Sequence, residues 1–138
     1  MILLDTNVVS ELMRPTPDAK VLEWFDGQEP GTMALSVITP AEILYGLERL
    51  PYGRRRADLA ARFHAFLDRG FGNTIHPVDL ATAERFAAIR AARDAAGRPM
   101  TSFDALIAAT AGVHDMVLAT RNTGDFTDCG IDVADPWA

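Results

Sequence analysis

Short apolar runs that stop abruptly at polar residues alternate along this chain with stretches of helical periodicity, and this alternation is what most limits its fold. Ile2-Leu3-Leu4 runs straight into Asp5, Thr6 and Asn7. Met33 to Val37, Thr74 to Val78, Met116 to Ala119 and Ile131 to Val133 read as further strands. Strands this short and apolar suit a sheet covered on both faces. Between them, Val8 to Met13 is helical until Arg14-Pro15-Thr16-Pro17, where two prolines in three residues halt it. Asp18 caps a second helix whose apolar side is Val21, Leu22, Trp24 and Phe25. Thr39-Pro40-Ala41-Glu42 has the form of a helix start, with threonine as N-cap and glutamate at the capping-box position, and that helix runs to about Leu50. Arg55 to Arg69 places Leu59, Phe63, Phe66 and Leu67 on one face. An alanine-rich helix follows Asp79 to about Ala96, and Thr101 or Ser102 opens another over Phe103 to Val113. Strands alternating with helices imply a three-layer α/β/α sandwich with a central, mostly parallel sheet and right-handed crossovers. A chain of 138 residues fits one such domain, 1–138.

In open parallel sheets, ligands bind beyond the carboxyl ends of the strands. Asp5 ends the first strand, Glu42 lies on the first turn after the second, and Asp104 opens the helix before the fourth. Asn122 and Asp125 follow that fourth strand. Each acid also has an ordinary explanation: Glu42 as half of a capping box with Thr39, Asp104 as a first-turn acid after Thr101, Asp125 as a turn residue, Asp5 as a helix cap. Taken together they resist those explanations. Two carboxylates about 4 Å apart repel by roughly 4 kcal/mol at an effective dielectric near 20. Three or four in one crevice protonate or require a cation, and Arg121 is the sole basic neighbour in sequence. A hard divalent ion, Mg2+ or Mn2+, suits an all-oxygen site.

Composition narrows the class. The formal net charge of −6 gives no global basic footprint for a nucleic-acid binder, although local fields matter more than totals. A single cysteine, Cys129, excludes an internal disulfide and agrees with a reducing compartment. No basic leader precedes the first apolar run and no apolar run approaches membrane-spanning length, so the expectation is a cytoplasmic protein with no membrane partner. His64, His76 and His114 lack ligand-like spacing.

Four blocks, in order, resemble the PIN-domain ribonucleases: Asp5-Thr6-Asn7 after Ile2-Leu3-Leu4; Ser36-Val37-Ile38-Thr39-Pro40-Ala41-Glu42; Phe103-Asp104-Ala105-Leu106-Ile107-Ala108-Ala109-Thr110-Ala111; and Ala119-Thr120-Arg121-Asn122-Thr123-Gly124-Asp125-Phe126. Within that superfamily the chain resembles VapC-type toxins of bacterial toxin–antitoxin pairs, including the plasmid-stability and trafficking-regulator branch, from Met1 to Pro136-Trp137. The resemblance implies metal-dependent hydrolysis of RNA phosphodiesters, leaving a 5′-phosphate and a 3′-hydroxyl. It implies Asp5 and Asp104 as direct metal ligands, with Glu42 and a fourth position acting through water or completing a second site. Glu42 is the candidate to take a proton from the attacking water. Many relatives read Thr-Arg-Asp where this chain has Thr120-Arg121-Asn122, which leaves Asn122 or Asp125 for the fourth position. Thr6 and Thr120 resemble hydroxyl residues that steady the site, and Arg14, Arg54, Arg55 and Arg121 are candidates for RNA phosphate contacts. The resemblance further implies a cognate antitoxin whose carboxyl-terminal segment lies over the early helices, operator DNA bound only through that antitoxin, and a homodimer.

Two other readings compete. A haloacid-dehalogenase-like phosphatase needs a second aspartate two residues after the first, and Asn7 stands there. A catalytically silent PIN-like binding module acting through a DNA-binding partner would not need Asp5, Glu42 and Asp104 all intact.

Overall fold

The computed structural model describes residues 1–71 and 74–138. β1 (Ile2–Leu4), β2 (Met33–Ser36), β3 (Ile75–His76), β4 (Val117–Ala119) and β5 (Val133–Ala134) form one sheet in the order β3-β2-β1-β4-β5. Every pairing is parallel, with Leu3 opposite Ala34 and Leu118, and Leu35 opposite Ile75. β1 is therefore central, and its carboxyl end opens between β2 and β4.

Strand pleating sends successive side chains to opposite faces, and the chain uses this to build two cores. Leu3, Ala34 and Leu118 pack on one face with Ile89 of α5 (Leu80–Ala95) and Ile107, Ala108 and Ala111 of α6 (Ser102–Val113). Leu4, Leu35 and Ala119 pack on the other. Their partners there are Val8 and Val9 of α1 (Thr6–Leu12), Ile43 and Leu47 of α3 (Ile38–Glu48), and Phe63 and Phe66 of α4 (Arg54–Asp68). Trp24 and Phe25 of α2 (Ala19–Asp26) cover the edge of that second core. The three-layer sandwich expected from the strand–helix alternation is the observed arrangement.

The caps explain where helices begin. Asp18 accepts from the backbone N–H groups of Lys20 and Val21, Asp79 from Thr82, and Thr101 from Asp104. The start of α3 is a correction. The helix begins at Ile38, Val37 occupies the N-cap with no side-chain cap, and Thr39 lies inside the helix, fully buried. The hydroxyl of Ser36 accepts from the Ile38 N–H at 3.2 Å instead, so a residue ending β2 satisfies the first turn. Other boundaries differ slightly from expectation. α1 starts at Thr6 rather than Val8, β2 ends at Ser36, β3 is confined to Ile75–His76, and the last strand is Val133–Ala134 rather than Ile131 to Val133.

Phe63, 1 % exposed, sits within the α1–α3–α4 core. Phe63→Ala is expected to destabilise the protein by about 3–5 kcal/mol, read as a lower urea midpoint with the denaturant slope unchanged.

Candidate functional site

Asp5 leaves the end of β1 and becomes the N-cap of α1. Its Oδ1 accepts from the Thr6 N–H at 2.7 Å, and its Oδ2 accepts from the Thr120 hydroxyl, also at 2.7 Å. Only 5 % of Asp5 is exposed. Its pKa is raised to about 6, chiefly by removal from water; the bonds from Thr120 and Thr6 pull it down, and the charges of Asp104 and Glu42 push it up further. The cap reading of Asp5 is thus correct and insufficient, because a cap alone has no reason to sit buried beside two other acids.

Glu42 does not turn back to its own helix terminus. Its Oε1 accepts from the Thr6 hydroxyl at 2.7 Å, and the Thr6 and Thr39 hydroxyl oxygens are 3.1 Å apart. Thr6 has one hydroxyl proton and gives it to Glu42, so Thr39 donates to Thr6. The capping-box reading of Thr39 and Glu42 is replaced by a hydroxyl relay that aims Glu42 away from the helix and into a crevice.

That crevice, about 570 Å³, is lined by Asp5, Glu42, Asp104 and Asn122, together with Thr6, Asn7, Ser10, Glu11, Arg14, Arg121 and Trp137. Asp104, on the first turn of α6, has its pKa raised by burial and by the charge of Asp125, against the lowering effect of its bond with Thr101. Asp125 itself is exposed and does not line the crevice, so it reaches the site through its field on Asp104 rather than by contact. Asn122 is in the crevice wall, and its N–H donates to the Thr120 hydroxyl at 3.1 Å. Thr120 is fully buried and also lies 3.4 Å from the Asn7 side-chain amide, so it ties β4 to both Asp5 and α1.

The arginines separate. Arg14 and Arg121 line the crevice, whereas Arg54 and Arg55 line an adjoining groove of about 900 Å³ walled by Met13, Ile43, Leu47, Leu50 and Leu59. The two concavities meet at Thr6, Ser10, Arg14 and Glu42. Arg56 at the start of α4 pairs with Glu48 at 3.1 Å and lies over the Tyr52 ring, which offsets the unfavourable placement of arginines at a helix amino terminus.

Among the described residues, no three His, Cys, Asp or Glu side chains stand close enough to cage an ion by themselves. The donor set still fits a small hard cation. It is all oxygen, and magnesium commonly binds through one or two carboxylates while keeping several waters. Burial is the main reason the Asp5 pKa is high, and the nearby charges of Asp104 and Glu42 add to it; a cation would relieve both. Asp5 and Asp104 are the buried and half-buried acids of that set, with Glu42 close by. His76 and His114 do meet, ring centroids 4.0 Å apart, but neither lines the crevice.

Sequence reasoning missed Asn7, Ser10 and Glu11 as crevice residues, although with Arg14 they fall on one helical stripe at three- and four-residue steps. Placing the helix start at Val8 left Asn7 off that stripe. Trp137 was missed as well, since nothing local in sequence brings the chain end to the mouth of β1.

Residues 2–130 match the PIN domain. The chain belongs to the PIN-domain family. Its relatives include a VapC ribonuclease of Sinorhizobium fredii, 39% identical over 99% of this chain and 98% of that protein. The plasmid stability protein StbB of Pseudomonas syringae pv. tomato is 40% identical over 99% of each. Among solved structures, FitAcB from Neisseria gonorrhoeae superposes with a TM-score of 0.91 at 38% identity, covering 99% of each chain. FitAB bound to a DNA fragment gives a TM-score of 0.92 at 38% identity, over 100% of this chain and 96% of that one. Within the family the chain is of the VapC toxin type. No helix among the described residues is long and apolar enough to cross a membrane.

Folded Asp5 keeps its proton to about pH 6, whereas the unfolded chain releases it near 3.8. Between these values the folded state binds more protons, so the metal-free protein loses stability as pH rises through that window. The difference from 3.8 to about 6 corresponds to on the order of 3 kcal/mol. Urea unfolding in chelator at about pH 4.5 and about pH 7 should show a smaller loss with rising pH in Asp5→Asn than in wild type.

Proposed function

We propose that this protein, acting as a single PIN-like domain over 1–138, is a divalent-metal-dependent endoribonuclease and the toxin of a toxin–antitoxin pair. The single observation that carries this reading is the convergence of Asp5, Glu42 and Asp104 on one crevice, with Asp5 buried and its pKa raised by burial and by its acidic neighbours. Asp5 and Asp104 would hold Mg2+ or Mn2+, with Glu42 and Asn122, the fourth-position candidate that lines the crevice, completing the set through water. When bound, the ion lowers the pKa of a coordinated water and offsets charge on the phosphate undergoing attack.

The chain's own groups do the rest. Thr120 and the Thr6 N–H fix both oxygens of Asp5, so this carboxylate enters the reaction already oriented. Glu42, held by Thr6, takes the proton of the attacking water through its remaining oxygen. Neither a histidine nor a nucleophilic serine is required by this scheme. Arg14 and Arg121 stand on the crevice wall, where flanking phosphates of an RNA strand would pass; Arg54 and Arg55 lie further out, in the adjoining groove.

Relatives support the partner reading. A VapBC complex from Salmonella typhimurium bound to DNA superposes with a TM-score of 0.82 at 28% identity, covering 99% of this chain and 98% of that one. By this analogy a cognate antitoxin covers the early helices, operator DNA is reached through it, the toxin pairs as a homodimer, and the complex works in the cytoplasm. Of the apolar residues on those early helices, Val9 is wholly inside and Leu47 nearly so, whereas Leu22 and Leu44 are 38% and 43% exposed.

Purified wild type should cut a total cellular RNA pool in magnesium or manganese and stop in chelator. Asp104→Asn should reduce cutting to background, and Glu42→Gln should slow it by about 10²–10⁴-fold, the usual worth of a proton-transfer group. Sequencing the new ends reads both the cut and the target. Cuts by Asp104→Asn equal to those of wild type would overturn the site.

A further inference from the structure

Two arginines line the acid crevice, and they are held differently. Arg14 is committed to Glu11, its Nη1 lying 3.1 and 3.3 Å from the two carboxylate oxygens. Among the described residues Arg121 takes part in no ion pair, although Asp5, Glu42 and Asp104 line the same crevice. Its guanidinium lies instead over the indole of Trp137, 5.2 Å from the ring centroid.

Both members of this pair are anchored. The Arg121 N–H donates to the side-chain oxygen of Asn7 at 3.4 Å, which fixes the start of the arginine beside α1. The Trp137 N–H donates to Asp135 Oδ1 at 2.9 Å, and the indole packs, half-buried, against the α1–α3–α4 core. A flexible arginine among acids ordinarily folds onto one of them and is neutralised. A guanidinium lying over an aromatic ring uses its face there and keeps its N–H donors, a planar fork that matches two phosphate oxygens.

We propose that Trp137 is a positioning residue that holds Arg121 away from the crevice acids and presents it to a phosphate flanking the cleaved bond of the RNA. The inference rests on the nuclease reading of the crevice and adds to it the means by which an acidic protein grips a polyanion. Arg121 supplies the charge, and Trp137 determines where that charge is available.

The test is binding of a labelled, mixed-sequence single-stranded RNA, followed by anisotropy across a salt series in magnesium, with Asp104→Asn as the background to suppress turnover. Arg121→Gln should weaken binding about tenfold, the worth of roughly one charge-assisted contact. It should also flatten the slope of log affinity against log salt by about 0.7, the signature of one lost phosphate contact to a single strand. Trp137→Leu keeps an apolar side chain on the core and retains every charge, yet should reproduce both changes. Trp137→Phe keeps a ring face and should restore the wild-type slope. A Trp137→Leu protein that binds with the slope unchanged would overturn the inference, because a merely structural tryptophan leaves the number of phosphate contacts intact. Wild type and the Asp104→Asn background both failing to bind the RNA at all would overturn the nuclease reading, and this inference with it.

Discussion

The Asp5 carboxylate, taken out of water at the end of the central strand, is the constraint around which the site is organised. Burying an ionised group without partners is costly, and here both oxygens are satisfied, one by the first N–H of α1 and the other by the Thr120 hydroxyl at the end of β4. The parallel pairing of β1 with β4 puts Leu4 opposite Ala119, so Thr120 arrives beside Asp5 as a consequence of register. Pairing of β1 with β2 delivers α3, and with it Thr39 and Glu42, to the other side. The sheet order is thus what converts acids far apart in sequence into one charged crevice.

Hydroxyl groups carry the orientation. Thr6 and Thr120 each hold one carboxylate at 2.7 Å, and Thr39 backs up Thr6 from a fully buried position. Threonine suits these positions because it packs like a small apolar residue and brings a single directional donor. The groove beside the crevice shares Thr6, Ser10, Arg14 and Glu42 with it, so a chain segment seated in that groove would reach Glu42 without entering the crevice itself.

Much of this was legible in the sequence. Short apolar runs between helical stretches implied the layers, and Asp18, Asp79 and Thr101 acted as the caps their positions implied. Asp5, Glu42 and Asp104 could be grouped because parallel sheets collect ligands at strand ends. Local rules failed where tertiary demands outweighed them. Thr39 and Glu42 fit a capping box well in sequence, but Thr6 offered Glu42 a better partner from another helix, and the Ser36 hydroxyl took over at the start of α3. Asp125 looked equivalent to Asn122, yet the helical turn over Thr123–Phe126 places Asn122 in the crevice wall and leaves Asp125 outside it. Trp137 lay beyond any local rule, since its place depends on β5 pairing with β4 and returning the chain to the carboxyl end of the sheet.

On the proposed function, the crevice acids repel one another and a divalent ion offsets their charge. Thermal unfolding of wild type and Asp5→Asn, each in chelator and in magnesium at neutral pH, tests it most directly. Asp5→Asn should melt above wild type in chelator, and magnesium should raise the wild-type midpoint while scarcely moving that of the variant. Equal magnesium shifts in both proteins, or none in wild type, would contradict it.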